Sequence, residues 1–311
     1  MRALILGASG MLGHKLWQVF RERFETWGTV RSSYQEYARY NLFDPSRLLG
    51  GIDACDFHTV VRAFEMTKPD VVINSIGIIK QAPAAKDPIA SVEVNSLFPQ
   101  RLAGLCRSNG TRLVHISTDC VFSGRKGMYT EDDTPDAEDL YGRTKLLGEV
   151  TGPNCLTLRA SLIGRELQTS NGLVEWFLSN RDQRVQGYTN AIFSGFPTMV
   201  LANIIADVIE RHPDLSGVYH VSSAPISKHQ LICLLRDALR VPIEIDPSPA
   251  VSVDRSLDSS RFRTTTGYVP PSWAAMVNAM TKDPAPYDAW RQTRASSSQT
   301  HSDYRGDRLP G

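Results

Sequence analysis

The chain has 311 residues, which is long enough for one elaborate α/β domain or two cooperating ones. Apolar residues make up 41% and charged residues 22%, as in ordinary globular proteins, and 34 basic against 33 acidic residues give a net charge of +1. No basic run is interleaved with aromatic residues, so we expect no nucleic-acid partner. No segment approaches 18 apolar residues and no signal-peptide pattern is present, so we expect neither export nor a membrane partner.

The five cysteines are scattered, odd in number and contain no C-x-x-C pair. This pattern is typical of a reducing compartment, and we expect the protein to be cytoplasmic. The seven histidines are also dispersed, so the sequence predicts no metal site.

The first predicted strand, residues 3–6, leads directly into the glycine-rich turn GASGMLG at residues 7–13, which precedes an apolar helical pattern. Gly7 permits the tight turn, Gly10 lets the backbone approach a pyrophosphate, and Gly13 permits close packing of the helix, whose N-terminus attracts anions. The sequence therefore predicts a dinucleotide site, although the same glycines could merely join a strand to a helix. The residues assigned to this site are Gly7, Ser9, Gly10, Met11, Leu12 and Gly13.

The second predicted strand ends near Val30 and is followed by Arg31 and Ser32, where a site selective for NAD commonly has an acidic residue. A guanidinium group there accommodates the 2′-phosphate of NADP. We therefore expect NADP(H) to be the preferred cofactor, with NAD(H) possible. The alternative interpretation of Arg31 is an ordinary solvated loop cation.

Two further apolar runs, residues 71–74 and 113–117, predict buried parallel strands, and residues 92–106 between them have the apolar spacing of a helix that faces a sheet. The order strand, helix, strand implies right-handed crossover connections. The sequence therefore predicts an α/β fold with a doubly wound parallel sheet, the Rossmann architecture.

The candidate catalytic residues are Thr118, Tyr141 and Lys145. In a helix, Tyr141 and Lys145 project from one face, and an ammonium beside a phenol favours the phenolate and eases proton exchange with a hydroxyl or carbonyl. Thr118 follows the strand at residues 113–117 and offers a hydroxyl to the same carbonyl. A capping threonine and an exposed helical pair are the alternatives, but the combination with the glycine turn favours an oxidoreductase.

The second half of the chain completes the sheet with predicted strands at residues 155–162 and 218–221, separated by a helix at residues 199–211. We assign residues 1–164, completed by about 195–223, to the NADP-binding domain. Residues 165–194 and 224–282 have weaker strand alternation, which predicts a smaller region folded over the carboxyl edge of the sheet, where ligands bind. Residues 283–311 are rich in Pro, Ser, Thr, Arg and Asp, which predicts a mobile tail.

Over roughly residues 1–280, these motifs resemble those of the extended short-chain dehydrogenases/reductases, particularly the dTDP-4-dehydrorhamnose reductase family of nucleotide-sugar reductases. The segment KPDVVIN at residues 68–74 looks like that family's fourth strand, and EVN at 93–95 looks like the start of its active-site helix. The segment RASLIG at 159–164 looks like the strand after the catalytic helix, and RSLD at 255–258 resembles a stretch that faces the sugar nucleotide.

The resemblance implies further residues around the cofactor and the substrate. Those on the cofactor side are Asp53, Ala54, Asn74, Ser75, Ile76, Gly77, Asn95 and Ser117, together with Tyr141 and Lys145. Those on the substrate side are Thr118, Asp119, Cys120, Tyr141, Asn171 and Arg255. The family commonly has a tyrosine at the position of Cys120 and an acidic, threonine-containing stretch at residues 78–83, and this sequence has neither. Related dehydratases carry a glutamate at the position of Cys120, and its absence argues against water elimination.

The resemblance thus implies an NADPH-dependent reductase of a nucleotide-diphosphate 4-keto-6-deoxyhexose, similar to the enzymes of dTDP-rhamnose and polysaccharide biosynthesis, and a homodimer is a candidate assembly. A nucleotide-sugar epimerase would use the same tyrosine and lysine but would return its cofactor to the starting state. A non-catalytic NADP-binding regulatory subunit is the third interpretation, since the regulatory subunit of methionine adenosyltransferase resembles the same family. The nucleotide, the stereochemistry of the sugar and any need for Mg²⁺ stay open.

Overall fold

The computed structural model describes residues 1–291. The strands of this part of the chain are β1 (Arg2–Leu6), β2 (Glu25–Thr29), β3 (Leu48–Leu49), β4 (Val71–Asn74), β5 (Arg112–Ser117), β6 (Cys155–Arg159), β7 (Leu162–Ile163), β8 (Arg184–Phe193), β9 (Phe196–Pro197), β10 (Gly217–His220), β11 (Ile226–Ser227) and β12 (Glu244–Asp254). The helices are α1 (Gly13–Phe20), α2 (Gln35–Ala38), α3 (Phe57–Thr67), α4 (Pro88–Val92), α5 (Phe98–Ser108), α6 (Leu140–Leu147), α7 (Leu173–Ser179), α8 (Thr198–Arg211), α9 (Lys228–Leu239), α10 (Ser260–Thr266) and α11 (Trp273–Thr281).

Seven parallel strands form the central sheet in the order β10-β6-β5-β4-β1-β2-β3. The predicted doubly wound α/β fold is therefore confirmed. The chain winds outward from β1 in both directions, so the crevice at the carboxyl ends of β1 and β4 is the point at which such sheets bind ligands. The loops that follow these two strands begin at Gly7 and Ser75.

The apolar runs predicted as strands bury side chains on both faces of the central sheet. Ala3 and Ile5 of β1 belong to one hydrophobic cluster, and Leu4 and Leu6 belong to the cluster on the opposite face. A parallel strand covered by helices on both faces needs apolar residues at successive positions, which explains why β1 shows no polar alternation.

Two predicted strand ends differ from the structure. The sequence predicts a third strand that ends at Asp53 and Ala54, but in the structure this strand ends at Leu49 and the chain then turns through Gly51, which has a φ of +71°. Asp53 and Ala54 therefore lie in the loop beyond it. The predicted strand at residues 155–162 is interrupted after Arg159, and β7 then leaves the central sheet to pair with β9.

A second sheet, with the order β11-β8-β12, covers the carboxyl side together with α9, which packs against β8. The two long strands of this sheet were not predicted. Pro247 and Pro249 lie within β12, which pairs with β8 alone and is therefore an edge strand, where proline is tolerated. Within residues 1–291, no helix is long and apolar enough to cross a membrane.

The C-terminal segment, defined here as residues 283–291, was predicted as part of a mobile tail but packs against the folded chain. Tyr287 is buried, Asp283 forms an ion pair with Lys15, and the ring of Trp290 lies 5.1 Å from that of Tyr40. The composition argument was wrong for these residues because two large aromatic side chains supply enough apolar surface to order the segment. The rest of the predicted tail, residues 292–311, lies outside the described residues.

Candidate functional site

The glycine turn after β1 has the geometry of an anion-binding site. Gly7 has a φ of +82°, which favours glycine, and a Cβ on Gly13 would overlap the carbonyl oxygen of Gly7. α1 has no acidic residue in its first turn. Among residues 1–291, the backbone N–H groups of Met11 and Leu12 have no hydrogen-bond acceptor, so they can donate to a ligand. The turn therefore fits a pyrophosphate.

The loop after β4 is shaped by two buried asparagines. The Oδ1 atom of Asn74 accepts a hydrogen bond from the backbone N–H of Ile76 at 3.1 Å, and its Nδ2 atom lies 3.1 Å from Nδ1 of His115. Asn95 binds the next part of the loop on both sides, because its Oδ1 accepts from the N–H of Ile78 at 2.8 Å and its Nδ2 donates to the carbonyl of Ile78 at 3.0 Å. The two asparagines therefore fix the course of residues 75–78.

Asn95 reaches this loop from a π turn, Glu93–Leu97, inserted between α4 and α5. Such turns are frequent at functional sites, because the extra residue redirects a side chain. A Cβ on Gly148, just after α6, would overlap the carbonyl oxygen of Asn95, so α6 packs directly against the π turn. The sequence analysis placed one uninterrupted helix at residues 92–106 and missed this irregularity.

The predicted adenine-side residues occupy the loops after β2 and β3. Arg31 is exposed immediately beyond β2, and Ser32 beside it is half-buried. The Oδ1 atom of Asp53 accepts the N–H of Cys55 at 2.9 Å, and the side chain of Ala54 is buried in the core. The side chain of Ser75 donates to the carbonyl of Leu6 at 2.6 Å, so it joins the loops after β4 and β1. Their contacts with a cofactor stay predictions.

Thr118 and Tyr141 come together because α6 packs against the turn Asp119–Val121. Asp139 begins α6, with its Oδ1 accepting the N–H of Gly142 at 2.8 Å. A Cβ on Gly142 would overlap the carbonyl oxygen of Cys120, so glycine is needed for this close contact. The contact places Tyr141 near Thr118, whose Oγ1 accepts the N–H of Cys120 at 3.1 Å.

The protonation states of Tyr141 and Lys145 are set mainly by burial. Burial raises the pKa of Tyr141 above its usual value, as do the carboxyl groups of Asp119 and Asp139, whereas the hydroxyl of Thr118 acts in the opposite direction. Burial lowers the pKa of Lys145 to about 8, against the attraction of Glu149. The Lys145 ammonium donates to the carbonyl of Ile116 at 2.8 Å. The predicted lowering of the Tyr141 pKa by Lys145 is therefore not seen.

Ser117 was predicted to contact the cofactor, but its side chain serves a buried ion pair. Its hydroxyl donates to Oε1 of Glu149 at 2.6 Å, and the same carboxylate forms an ion pair with Arg159 at 2.7 Å. Both charged side chains are more than nine-tenths buried. The hydroxyl proton of Ser117 is therefore committed to the Glu149 carboxylate.

Asp119 and Cys120, both predicted on the substrate side, lie in the turn against which α6 packs. The charges of two cations, Lys228 and Arg255, act on Asp119. Burial raises the pKa of Asp119, and the positive charges of Lys228 and Arg255 act against this shift. Burial also raises the pKa of Cys120 to about 12, so the thiol keeps its proton. The Nε atom of Arg255 donates to the carbonyl of Phe122 at 2.9 Å, which fixes this predicted substrate residue beside the turn.

Lys228 is the residue of this group that the sequence analysis missed. It is the first residue of α9, after a capping box formed by Ser227 and Gln230, and its ammonium lies 4.4 Å from the centre of the Phe193 ring. The pattern S-K-H-Q at residues 227–230 would have predicted the start of this helix. It would not have predicted that Lys228 faces Asp119, because that depends on how α9 packs over the sheet.

Asn171, predicted on the substrate side, is exposed and lies in a loop. Its backbone N–H donates to Oε2 of Glu166 at 3.2 Å. A Cβ on Gly172 would lie 3.7 Å from Cε of Met11, so this loop runs beside the glycine turn. A substrate contact for Asn171 stays a prediction. Within the described part of the chain, no group of three or more His, Cys, Asp or Glu side chains is arranged to bind a metal.

Comparisons with known proteins agree with this arrangement. A family model described as RmlD substrate binding domain matches residues 1–285. The chain is 27% identical over 291 residues to methionine adenosyltransferase 2 subunit beta of Mus musculus, covering 85% of this chain and 82% of that protein. It is 31% identical over 235 residues to the probable low-salt glycan biosynthesis reductase Agl14 of Haloferax volcanii, covering 72% and 75%. The structure of dTDP-4-dehydrorhamnose reductase from Bacillus anthracis, in complex with NADP, superposes with a TM-score of 0.74 at 21% identity over 90% of this chain and 98% of that one.

Proposed function

Because the chain belongs to the RmlD substrate binding domain family, we propose that it is an NADPH-dependent reductase of a nucleotide-diphosphate 4-keto-6-deoxyhexose. The observation that carries the proposal is the meeting of Thr118 and Tyr141 at the carboxyl edge of the sheet, with Lys145 one helical turn further along α6. A hydroxyl pair next to a buried ammonium is suited to a carbonyl group. The reductase name of the Haloferax volcanii relative supports the same reaction class.

The protein residues supply the proton and the geometry of the reduction. The raised pKa of Tyr141 keeps its phenol protonated near pH 7, so it can donate a proton to the carbonyl oxygen. Thr118 orients that oxygen. With a pKa of about 8, Lys145 is mostly an ammonium at pH 7, and we assign it to the ribose of the cofactor. When bound, NADPH supplies the hydride for the carbonyl carbon.

Several features of the cofactor side support NADPH. Met11 and Leu12 have free backbone donors for the pyrophosphate, and α1 begins directly behind them. Arg31 is exposed beyond β2, and we assign it to the 2′-phosphate. We assign Asn95 and Lys145 to the nicotinamide ribose. The NADP complex of the Bacillus anthracis structural neighbour agrees with this assignment.

The remaining cations are suited to the substrate. The positive charges of Lys228 and Arg255 act on Asp119, and we assign both cations to the diphosphate or the oxygen atoms of the sugar. We assign cofactor binding to residues 1–164 and 195–223, and substrate binding to residues 165–194 and 224–282. The seating of Lys228 and Arg255, at the start of α9 and just after β12, is consistent with this division.

The test is NADPH oxidation by the purified protein with a panel of 4-keto sugar nucleotides, including the dTDP-linked 6-deoxyhexose. We expect oxidation with at least one member, and we expect Tyr141→Phe to abolish it. If only another nucleotide supports turnover, the dTDP assignment is wrong and the reductase assignment stands. Conversion of a sugar nucleotide without net NADPH consumption would favour an epimerase.

A regulatory subunit is the second candidate function, because the chain is similar to methionine adenosyltransferase 2 subunit beta of Mus musculus over 82% of that protein's length. The discriminating result would be tight NADPH binding without reduction of any sugar nucleotide in the panel. A pull-down of purified methionine adenosyltransferase catalytic subunit would then test the alternative directly.

A further inference from the structure

The C-terminal segment reaches the glycine turn through one buried histidine. His14, in the first turn of α1, places its Nδ1 atom 2.8 Å from the carbonyl oxygen of Gly10, and its Nε2 atom 2.6 Å from the hydroxyl of Tyr287. Burial, with a smaller effect of the Lys15 charge, lowers the pKa of His14 to about 3, so the ring is neutral and carries one proton. Because a carbonyl oxygen can only accept, that proton is on Nδ1, and Nε2 accepts from Tyr287.

Tyr287 is fixed from several sides. Its ring packs edge-on against the His14 ring, with the guanidinium of Arg165 at 4.9 Å and the ammonium of Lys15 at 5.1 Å from its centre. Lys15 is also paired with Asp283, at the start of the same segment. The hydroxyl of Tyr287 therefore has a defined position rather than a choice of rotamers.

The carbonyl of Gly10 and the N–H of Met11 belong to one planar peptide group. His14 binds that carbonyl twice, through its backbone N–H at 3.1 Å and through Nδ1 at 2.8 Å. Fixing the carbonyl also fixes the direction of the Met11 N–H, which points the opposite way and is one of the free donors of the turn. A shift of the His14 ring would rotate this donor away from its ligand.

We propose that Tyr287 is a positioning residue for the pyrophosphate-binding turn, acting through His14 and the carbonyl of Gly10. The inference rests on the proposed function, because the ligand of the turn is taken to be NADPH. It gives the C-terminal segment a part in cofactor binding, although the segment is far in sequence from the turn.

The test compares ligand affinities of full-length variants. Tyr287→Phe removes the hydroxyl and keeps the ring. Tyr129→Phe is the matched control, since the hydroxyl of Tyr129 is also buried and accepts the backbone N–H groups of Gly124 at 3.1 Å and Lys126 at 3.0 Å. The probes are NADPH and adenosine 2′-monophosphate, which has the adenine and the 2′-phosphate but no pyrophosphate.

We expect Tyr287→Phe to raise the Kd for NADPH about tenfold, the upper range for loss of one buried hydrogen bond. Its Kd for adenosine 2′-monophosphate should stay unchanged, and Tyr129→Phe should alter neither. In a His14→Phe background, Tyr287→Phe should have no further effect on NADPH binding, because the two residues act in series.

Three results would overturn the inference. An unchanged NADPH Kd in Tyr287→Phe would exclude the positioning role, and equal weakening of both probes would indicate general loss of structure. Additive effects of the His14 and Tyr287 changes would show that Tyr287 does not act through His14. If the unmodified protein binds adenosine 2′-monophosphate and NADPH equally weakly, the proposed cofactor is itself wrong, which is a separate failure visible before any variant is made.

Discussion

Lys145 is proposed to be catalytic, and its burial lowers the stability of the folded protein. This effect on the free energy of unfolding can be measured without any substrate. Burial lowers the pKa of this lysine from 10.5 to about 8. Between these values the unfolded chain carries a proton on Lys145 that the folded chain has lost. Because the unfolded state then binds more protons, the free energy of unfolding rises with pH in this window.

The magnitude follows from the size of the shift. One pKa unit corresponds to 1.36 kcal/mol, so the full gain between pH 8 and pH 10.5 is about 3 kcal/mol, of which about 2 kcal/mol should be reached at pH 9.5. Below pH 8 both states are protonated, and Lys145 contributes no pH dependence. In this range the buried ammonium lowers the free energy of unfolding by an amount that does not change with pH.

Lys145→Met is the appropriate comparison, because methionine keeps most of the side-chain length and does not titrate. Urea unfolding of both proteins, followed by tryptophan fluorescence at several pH values from 7 to 9.5, gives the difference in unfolding free energy. All other titrating groups cancel in that difference to first order. We expect the advantage of Lys145→Met to shrink by about 2 kcal/mol over this range. A difference that stays constant would refute the lowered pKa and the assignment of Lys145 as a buried ammonium.

Four further outcomes are expected. Tyr141→Phe should lower kcat about 10²- to 10⁴-fold in the NADPH oxidation assay while leaving the NADPH Kd, measured by fluorescence, nearly unchanged. Arg31→Ala should bring the Kd values for NADPH and NADH together in calorimetry by weakening NADPH alone; equal values in the unmodified protein would contradict the assignment. Lys228→Gln should raise the KM for the sugar nucleotide by about tenfold or more, with a small effect on kcat. Gly13→Ala should abolish NADPH binding in the same calorimetric assay, because the added Cβ meets the carbonyl oxygen of Gly7.

The central sheet could be predicted from the sequence because local patterns determine it. β1 and β4 are short apolar runs, and the glycine turn marks the end of the first. The second sheet could not be predicted in the same way. β12 contains two prolines, and β8 contains Gly187, where a Cβ would lie 2.8 Å from Cδ2 of His229. The prolines are tolerated because β12 is an edge strand, and Gly187 is needed because α9 packs closely against β8. Neither feature can be read from the local sequence.

The candidate site likewise contains residues that local motifs predict and residues that only tertiary packing brings in. The family suggested by Thr118, Tyr141 and the glycine turn is confirmed by the match over residues 1–285. Lys228 and Tyr287 could not be found, because each meets the site through packing of elements more than a hundred residues away in sequence. The direction of the Tyr141 pKa was wrong because the sequence shows the neighbouring lysine but not the burial that dominates.

The close contacts at the two ends of α6 have a consequence for how new specificities can arise in this protein. Gly142 touches the carbonyl of Cys120, and Gly148 touches the carbonyl of Asn95, so the helix has no room to slide or tilt. The position of Tyr141 and Lys145 on α6 is therefore fixed. Under the proposed function, a different sugar would be accommodated by the first turn of α9 and the residues after β12, which carry Lys228 and Arg255. Laboratory selection for altered substrates should accordingly collect its changes there and spare α6.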